Sequence, residues 1–550
     1  YSVKRRSISL LKVFEEIISE APRTLEAYIH LGNACANLEQ YSEAIEAFKN
    51  AKNIKFNSFI TNEEALILQK ISEKTGAKLV NEDARRYQEF LKNYSKTSGK
   101  TLYSSKLSDV HNSNFVISVG SYLKSDLPNA RYAFNNSVTM NKGAGLYFHP
   151  VADPIMEKIG KKGKTTEFIY HSPMAEEAIL YFILYKFGKE LPTEIQAYID
   201  SFKETRTKTV TEVVKENVVE IVKDEATGEE KEVKKVVSKN VSTEVSYEYS
   251  RLVEEFGRDE KFLELLDPML EKKDTYSLMV GEDLITHPNA ENLAKLCGII
   301  DSYTDFSVVI IPTQTNTLGV AQICTLSKEV EGFSVGYNMK ADFELSALGD
   351  GDLDIPALNQ QEGTFTNIDK KVIPTNAALE FKGYTLNEVA NEVLGTDVEY
   401  TIEYTAKLPV EKGYQTVEFD DLPNRFGNDQ VEYRGYEISS FDVSKETLVK
   451  ELTPRECSLS EGEIVIYKAN PINQFNEFTA IAHELKEKLQ DGIFFSKSSF
   501  EAMELVEGDK VKVVANNQEL ELNAYVDVQI DGNIAYVYKK KKNSPSNALF

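Results

Sequence analysis

The sequence predicts an α/β protein of Rossmann-like units with an inserted β-hairpin, and two observations carry that expectation. First, short runs of β-branched and aromatic residues end in Gly or Pro: NFVISVG at 114–120, GLYFHP at 145–150, YSLMVG at 276–281 and FSVVIIP at 306–312. They alternate with helix-length segments, as buried parallel strands do in a doubly covered sheet. Second, valines crowd both sides of an Ala-Thr-Gly-Glu turn in residues 207–245, interspersed with Lys and Glu. That composition favours a long hairpin whose charges discourage edge pairing, over the rival charged helical hairpin.

Taken in order, residues 1–52 read as helical. Positions 8–20 carry helical apolar spacing up to Pro22, and Ala27–Phe48 reads as a helix pair with a turn near Gln40. This pair resembles one tetratricopeptide repeat, and a single repeat cannot bury both its faces. Residues 53–345 form the Rossmann-like region. NIKFNSF is strand-like, and Thr61 with Glu64 makes a capping box for an amphipathic helix that stops at Gly76. A short apolar stretch at Lys78–Asn81 leads to the polar helix DARRYQEFLKNY. After the strand at 114–120 comes the helix LPNARYAFNNSVTMNKG; no G-x-G-x-x-G accompanies it, so dinucleotide binding has no support. Leu293, Leu296, Ile299 and Ile300 form the apolar stripe of a helix between the last two strands.

Residues 346–400 are a return segment containing a polar, turn-prone loop: Gln360, Gln361, Glu362, Gly363, Thr364 and Asn367. Pro374, which cannot donate to a ladder, follows soon after. Two Gln, two Thr and one Asn offer both donors and acceptors, as a polar segment buried between domains needs. The expectation is that the loop lies between the Rossmann-like unit and the C-terminal domain. Residues 401–460 read as irregular β structure. Residues 461–550 begin with the strand EIVIYKA and the helix TAIAHELKEKL.

Composition narrows function. A formal charge of −24, from 87 acidic and 63 basic residues, argues against nucleic acid and against a polybasic membrane patch. No apolar run is long enough to span a bilayer. Cys35, Cys297, Cys324 and Cys457 lie too far apart for a cluster or a staple set. The six histidines, His30, His111, His149, His171, His287 and His483, show no metal spacing. His149 and His287 each precede Pro and read as turn residues. The run LGDGDLD lacks the ligand set of a calcium loop and reads as solvated. No catalytic residue and no metal ligand is identified.

One stretch is specific. ALNQQEGTFTNIDKKVIPTNAAL resembles the E-G-T-F-x-N-x-(E/D)-x-R segment of the molybdopterin oxidoreductase superfamily, with Lys371 where that family has Arg. The doubled Gln and VIPTNAAL are most similar to the large G subunit family of bacterial NADH:quinone oxidoreductase, respiratory complex I. Further resemblance lies in TNEEALILQK at 61–70, VGSYLKSDLPNAR at 119–131, GEDLITHPNAENLAKL at 281–296, and PTQTNTLGVAQ with Asn316 and Gly319. The C-terminal SFEAMEL, GDKVKV and the Asp531-Gly532 turn resemble the superfamily's closing β-barrel.

The resemblance covers roughly residues 53–541 and implies molybdopterin-oxidoreductase-type Rossmann-like domains ending in a C-terminal β-barrel. It implies a structural, electron-transfer-associated subunit at the cytoplasmic side of the inner membrane, with other peripheral-arm subunits of complex I as partners. It places iron-sulfur clusters only in a region upstream, so no cofactor is expected in this chain, which reads as a fragment. The loop Gln360–Asn367 is the family-like cofactor-proximal segment. The alternatives are a molybdopterin-binding oxidoreductase subunit and a repeat-type adaptor.

Overall fold

A computed structural model describes residues 12–13, 15–19, 25–124, 126–172, 174–223, 230–426, 432–445, 464–469, 492–515, 518–530 and 532–538. The expected turn at 226–229, the helix at 479–489, Cys457, His483 and Asp531 lie outside them.

Two five-stranded, wholly parallel sheets form the core. The first takes the order Leu353–Asp354, Phe343–Ser346, Ser334–Tyr337, Asn53–Phe56, Lys78–Val80. The second takes the order Thr166–Ile169, Ala144–Phe148, Phe115–Val119, Tyr276–Val280, Phe306–Ile310. The chain leaves the first sheet after Val80, builds the whole second sheet, and returns at Ser334. Within the second sheet the third, second, first, fourth and fifth strands lie side by side, a doubly wound order whose direction reverses between Phe115–Val119 and Tyr276–Val280. These strands carry no polar alternation because helices cover both faces: Phe115, Val116, Ile117 and Val119 are all fully buried.

The helix Asn62–Thr75 starts at the expected capping box, with Glu64 N donating to Thr61 Oγ1 and Thr61 N to Glu64 Oε2. It ends at Gly76, whose φ of 79° is the left-handed conformation that glycine tolerates. The turn expected near Gln40 does not form: Leu25–Asn50 is one 26-residue helix. Gln40-Tyr41-Ser42-Glu43 contains no Gly or Pro to end a helix, and tertiary contacts hold the second half straight. There Tyr41, Ala44, Ile45 and Phe48 are buried, and Tyr41 stacks on Tyr384 at 4.0 Å.

The valine-rich insertion is a β-ribbon of two strands, Lys203–Lys223 and Glu230–Ser250, in unbroken antiparallel register. Its base is pinned by Arg206, which lies 3.5 Å over the Tyr249 ring and pairs with Glu254, and by Lys208, which pairs with Glu264. Farther out, Val213 and Val236 are about 60% exposed, at 61% and 60%.

Residues 400–437 are less β-rich than the sequence suggests. A helix at Tyr400–Tyr404 and three single helical turns precede short strands at Asn424–Phe426, Glu432–Arg434 and Tyr436–Glu437. The C-terminal strands form a mixed five-stranded sheet: Val465–Ala469, Ile534–Tyr538, Ile493–Phe495, Gln518–Val526, Lys510–Ala515. Among the described residues this sheet is open, so the expected barrel does not close. It packs Tyr467, Phe494, Ile530 and Tyr536 against Tyr122 and Val151 at the end of the second parallel sheet. Among the described residues no helix is long and apolar enough to cross a membrane.

Candidate functional site

The polar loop read from sequence is half strand. Gly363–Thr366 and Lys371–Thr375 pair as a hairpin, with Pro374 opposite Thr364. The turn between them is closed by Asn367 Oδ1, which accepts from the amides of Asp369 and Lys371, both at 3.0 Å. Thr-Phe-Thr and Val-Ile are good strand formers, and the polar residues around them masked that signal.

This hairpin does not lie between the second sheet and the C-terminal sheet. It covers the N-terminus of the helix Asn62–Thr75, at the carboxyl end of the first sheet. Glu63 and Glu64 there are almost wholly buried, and no Lys or Arg faces them in an ion pair among the described residues; hydroxyls and amides serve instead. Glu63 accepts from the Thr364 amide at 2.8 Å, the Thr364 hydroxyl at 2.8 Å and the Thr405 hydroxyl at 2.9 Å. Glu64 accepts from Gln361 Nε2 at 2.6 Å and from the Tyr337 hydroxyl. Burial raises the pKa of both carboxyls, against the lowering effect of these donors.

Asn62 and Asn316 extend the network. Asn62 Nδ2 donates to Thr364 Oγ1 at 3.0 Å, and Asn316 Oδ1 accepts from the Thr366 amide at 2.8 Å. Gly319 is obligatory here, because a Cβ would stand 2.2 Å from both Asn316 Oδ1 and Asn62 Oδ1. Gln360 caps the preceding turn through the Ala357 amide, and Glu362 accepts from the Thr401 hydroxyl. Every loop residue named from sequence is thus tied to protein. Lys371 sits in the hairpin beside Glu437 of the neighbouring strand, and the adjacent Lys370 is buried with Nζ donating to Tyr103 O and Ser105 O.

The sequence missed a second cluster, at the carboxyl ends of the second sheet beside its reversal point, where open α/β sheets bind ligands. His149 follows one strand, His171 another, and Asp283 and His287 follow the third. All three histidines are buried, as are Glu176 and Glu177 at the start of the helix Glu176–Phe187. His149 Nε2 lies 3.1 Å from the Tyr467 hydroxyl and 3.3 Å from Asp283 Oδ2. Burial lowers the His149 pKa to about 4, so the ring is neutral; the Tyr467 contact is a hydrogen bond, and the approach of Asp283 is not an ion pair.

His171 Nδ1 lies 2.9 Å from Ser172 O, and its Nε2 is buried without a partner. His287 Nδ1 accepts from the Asn289 amide at 2.9 Å, which leaves the proton on Nε2, 3.5 Å from Glu176 Oε2. That contact and His171 hold Glu176 at about 2, against the burial that would raise it. The sequence signal for this cluster was that His149 and His287 each precede Pro; His171 carried none. No spacing rule links residues brought together from three separate strands. Among the described residues no group of His, Cys, Asp or Glu is arranged to hold a metal ion.

The cluster contains acid–base groups, yet it is sealed: His149 is 0%, His171 2% and His287 5% exposed. The residues also do not fit an anionic pterin dinucleotide. In a Rossmann-type turn, backbone N–H groups after the first strand cradle phosphates. Here Asp126 takes the Tyr122 amide at 2.7 Å and Asp153 takes the Lys124 amide at 2.9 Å. Asp153 also takes the amides of Ile155 and Met156, both at 3.1 Å. Carboxylates therefore already take these amides, and Tyr467 of the C-terminal sheet seats edge-on against His149 at 5.2 Å.

No protein-family model matches the chain. No curated protein matches its sequence. Among solved structures the chain is similar to acetylene hydratase from Pelobacter acetylenicus, with a TM-score of 0.57 and 9% identity over 92% of this chain and 81% of that one. At that identity the likeness is one of fold. The chain has a mixed α/β fold of the molybdopterin oxidoreductase type.

Among the described residues the two buried cysteines carry no redox signature. Cys297 and Cys324 have thiols pushed well up by burial, and Cys324 Sγ rests 3.4 Å from Ala65 O. They pack as small hydrophobes.

Proposed function

We propose that the chain is a structural, G-like subunit of a respiratory NADH:quinone oxidoreductase, using a molybdopterin-type fold as scaffold. The observation that carries this reading is the filled crevice. Asp126 and Asp153 occupy the amides that an anionic cofactor would need, and Tyr467 lies against His149. The self-satisfied hairpin at Gln361–Thr366 supports it, because a cofactor-proximal segment freed of its ligand must find protein partners or leave buried groups unpaired.

On this reading the chain binds no pterin, molybdenum or cluster of its own. Its neighbours are the other peripheral-arm subunits, on the cytoplasmic side of the inner membrane. The assignment to complex I, beyond the fold, rests on the QQEGTFTN and VIPTNAAL resemblance.

The test is elemental analysis of natively purified protein, together with the fate of NADH:quinone activity in membranes lacking it. We expect far less than one equivalent of molybdenum, tungsten or iron on this chain, and loss of an assembled, quinone-reducing complex when it is deleted. Near-equimolar molybdenum or tungsten would replace this reading with a cofactor-binding oxidoreductase subunit.

A further inference from the structure

The helix Glu82–Ser98, residues 285–291 and residues 328–329 enclose a surface groove of about 1010 Å3, at the upper end of small-molecule site volumes. Its charges are of both signs, but they are not equally free. Each carboxylate is already committed. Glu82 pairs with Arg85 at 2.6 Å and with Arg86 at 2.9 Å, and Glu89 pairs with Arg85. Glu291 pairs with Lys295 at 2.9 Å and Glu329 with Lys55 at 2.6 Å.

Lys92, Lys96 and Lys328 also line the groove, and none of them enters an ion pair among the described residues. Lys92 and Lys96 are four residues apart and so share one helix face. One further feature favours negative charge. The first turn of the 14-residue helix Ala290–Tyr303 opens onto the groove, and its Asn289 side chain makes no capping bond.

We propose that this groove binds a compact polyanion, a small molecule bearing two or more phosphates. The size of the ligand follows from the rest of the surface. With a net charge of −24, the protein repels an extended acidic chain or a nucleic acid along most of its length. A compact anion seated in the groove feels mainly the three free lysines, because more distant charges are screened beyond about 8 Å at physiological salt. Lysine heads act as point charges on phosphate, whereas both groove arginines are held by glutamates. The site is independent of the scaffold reading above, since none of its residues belongs to the filled crevice apart from His287 at its edge.

The experiment is isothermal titration of the full chain with inorganic pyrophosphate, and separately with ADP, at physiological ionic strength. The expected result is saturable one-site binding that the double variant K92E/K96E weakens about tenfold or more, as loss of two charge-assisted contacts implies. The variant K382E, carrying one of those charge reversals at an exposed position outside the groove, should bind as the parent does. Tighter binding of ADP than of pyrophosphate identifies a nucleotide; equal binding identifies the phosphates alone. Circular dichroism establishes that the double variant is folded. No saturable heat in the millimolar range overturns the proposal, as does equal weakening by K382E.

Discussion

Replacing Thr364 by Val keeps the shape of the side chain and removes one hydroxyl from the buried network at the helix N-terminus. Thr364 is fully buried; its hydroxyl donates to Glu63 at 2.8 Å and accepts from Asn62 at 3.0 Å. Two costs follow. A hydrogen bond to a carboxylate is worth roughly 1.5–3 kcal/mol, and a buried amide left without its acceptor costs about 1–3 kcal/mol. Glu63 keeps the Thr364 amide and the Thr405 hydroxyl, so the lower half of each range applies, and the sum is about 3 kcal/mol. For a 550-residue chain unfolding as one unit that is a fall in Tm of roughly 2–3 °C.

The assay is equilibrium urea denaturation followed by tyrosine fluorescence, since the chain has no Trp. Thr375→Val is the control, because its half-buried hydroxyl makes a single 3.2 Å bond to Gly363 O and should cost about 1 kcal/mol or less. A loss below about 1 kcal/mol for Thr364→Val, or one equal to the control, refutes the idea that the network locks the hairpin to the helix.

Two other outcomes test the remaining architecture. Deleting residues 209–244 and closing Lys208 to Val245 with a two-residue turn should leave a folded protein with unchanged unfolding cooperativity, because the ribbon's described anchors lie at its base; loss of the cooperative transition would place the ribbon in the core. His149 should impose a pH dependence. With its folded pKa depressed to about 4 from 6.5, the unfolded chain binds more protons between those values, so stability falls as pH drops through that window. The full effect is about 3 kcal/mol, and His149→Gln should flatten that slope; an unchanged profile between pH 7 and 4 would mean that His149 is not buried neutral.

Much of this molecule is determined locally. The strands at 114–120, 276–281 and 306–312 are legible because a strand covered on both faces must be apolar throughout. The capping box at Thr61 and Glu64 is legible because its partners lie three residues apart. The hairpin arm follows from valine content, since β-branched side chains set the backbone preference whatever lies nearby.

What failed was decided by packing. Gln40 does not break its helix, because no local signal forbids continuation and Tyr41 finds Tyr384 some 340 residues away. The Gly363–Thr366 segment is a strand whose polar groups find partners in Glu63, Asn62 and Asn316, from positions no window can join. His149, His171 and His287 look unrelated in sequence, since they follow three separate strands and lie 22 and 116 residues apart. Only the doubly wound order sets their ends side by side. The sequence also could not say that Asp126 and Asp153 would fold back onto backbone amides. Hydrogen bonds of that kind depend on loop geometry, and loop geometry is set by the sheet beneath and by Tyr467 above.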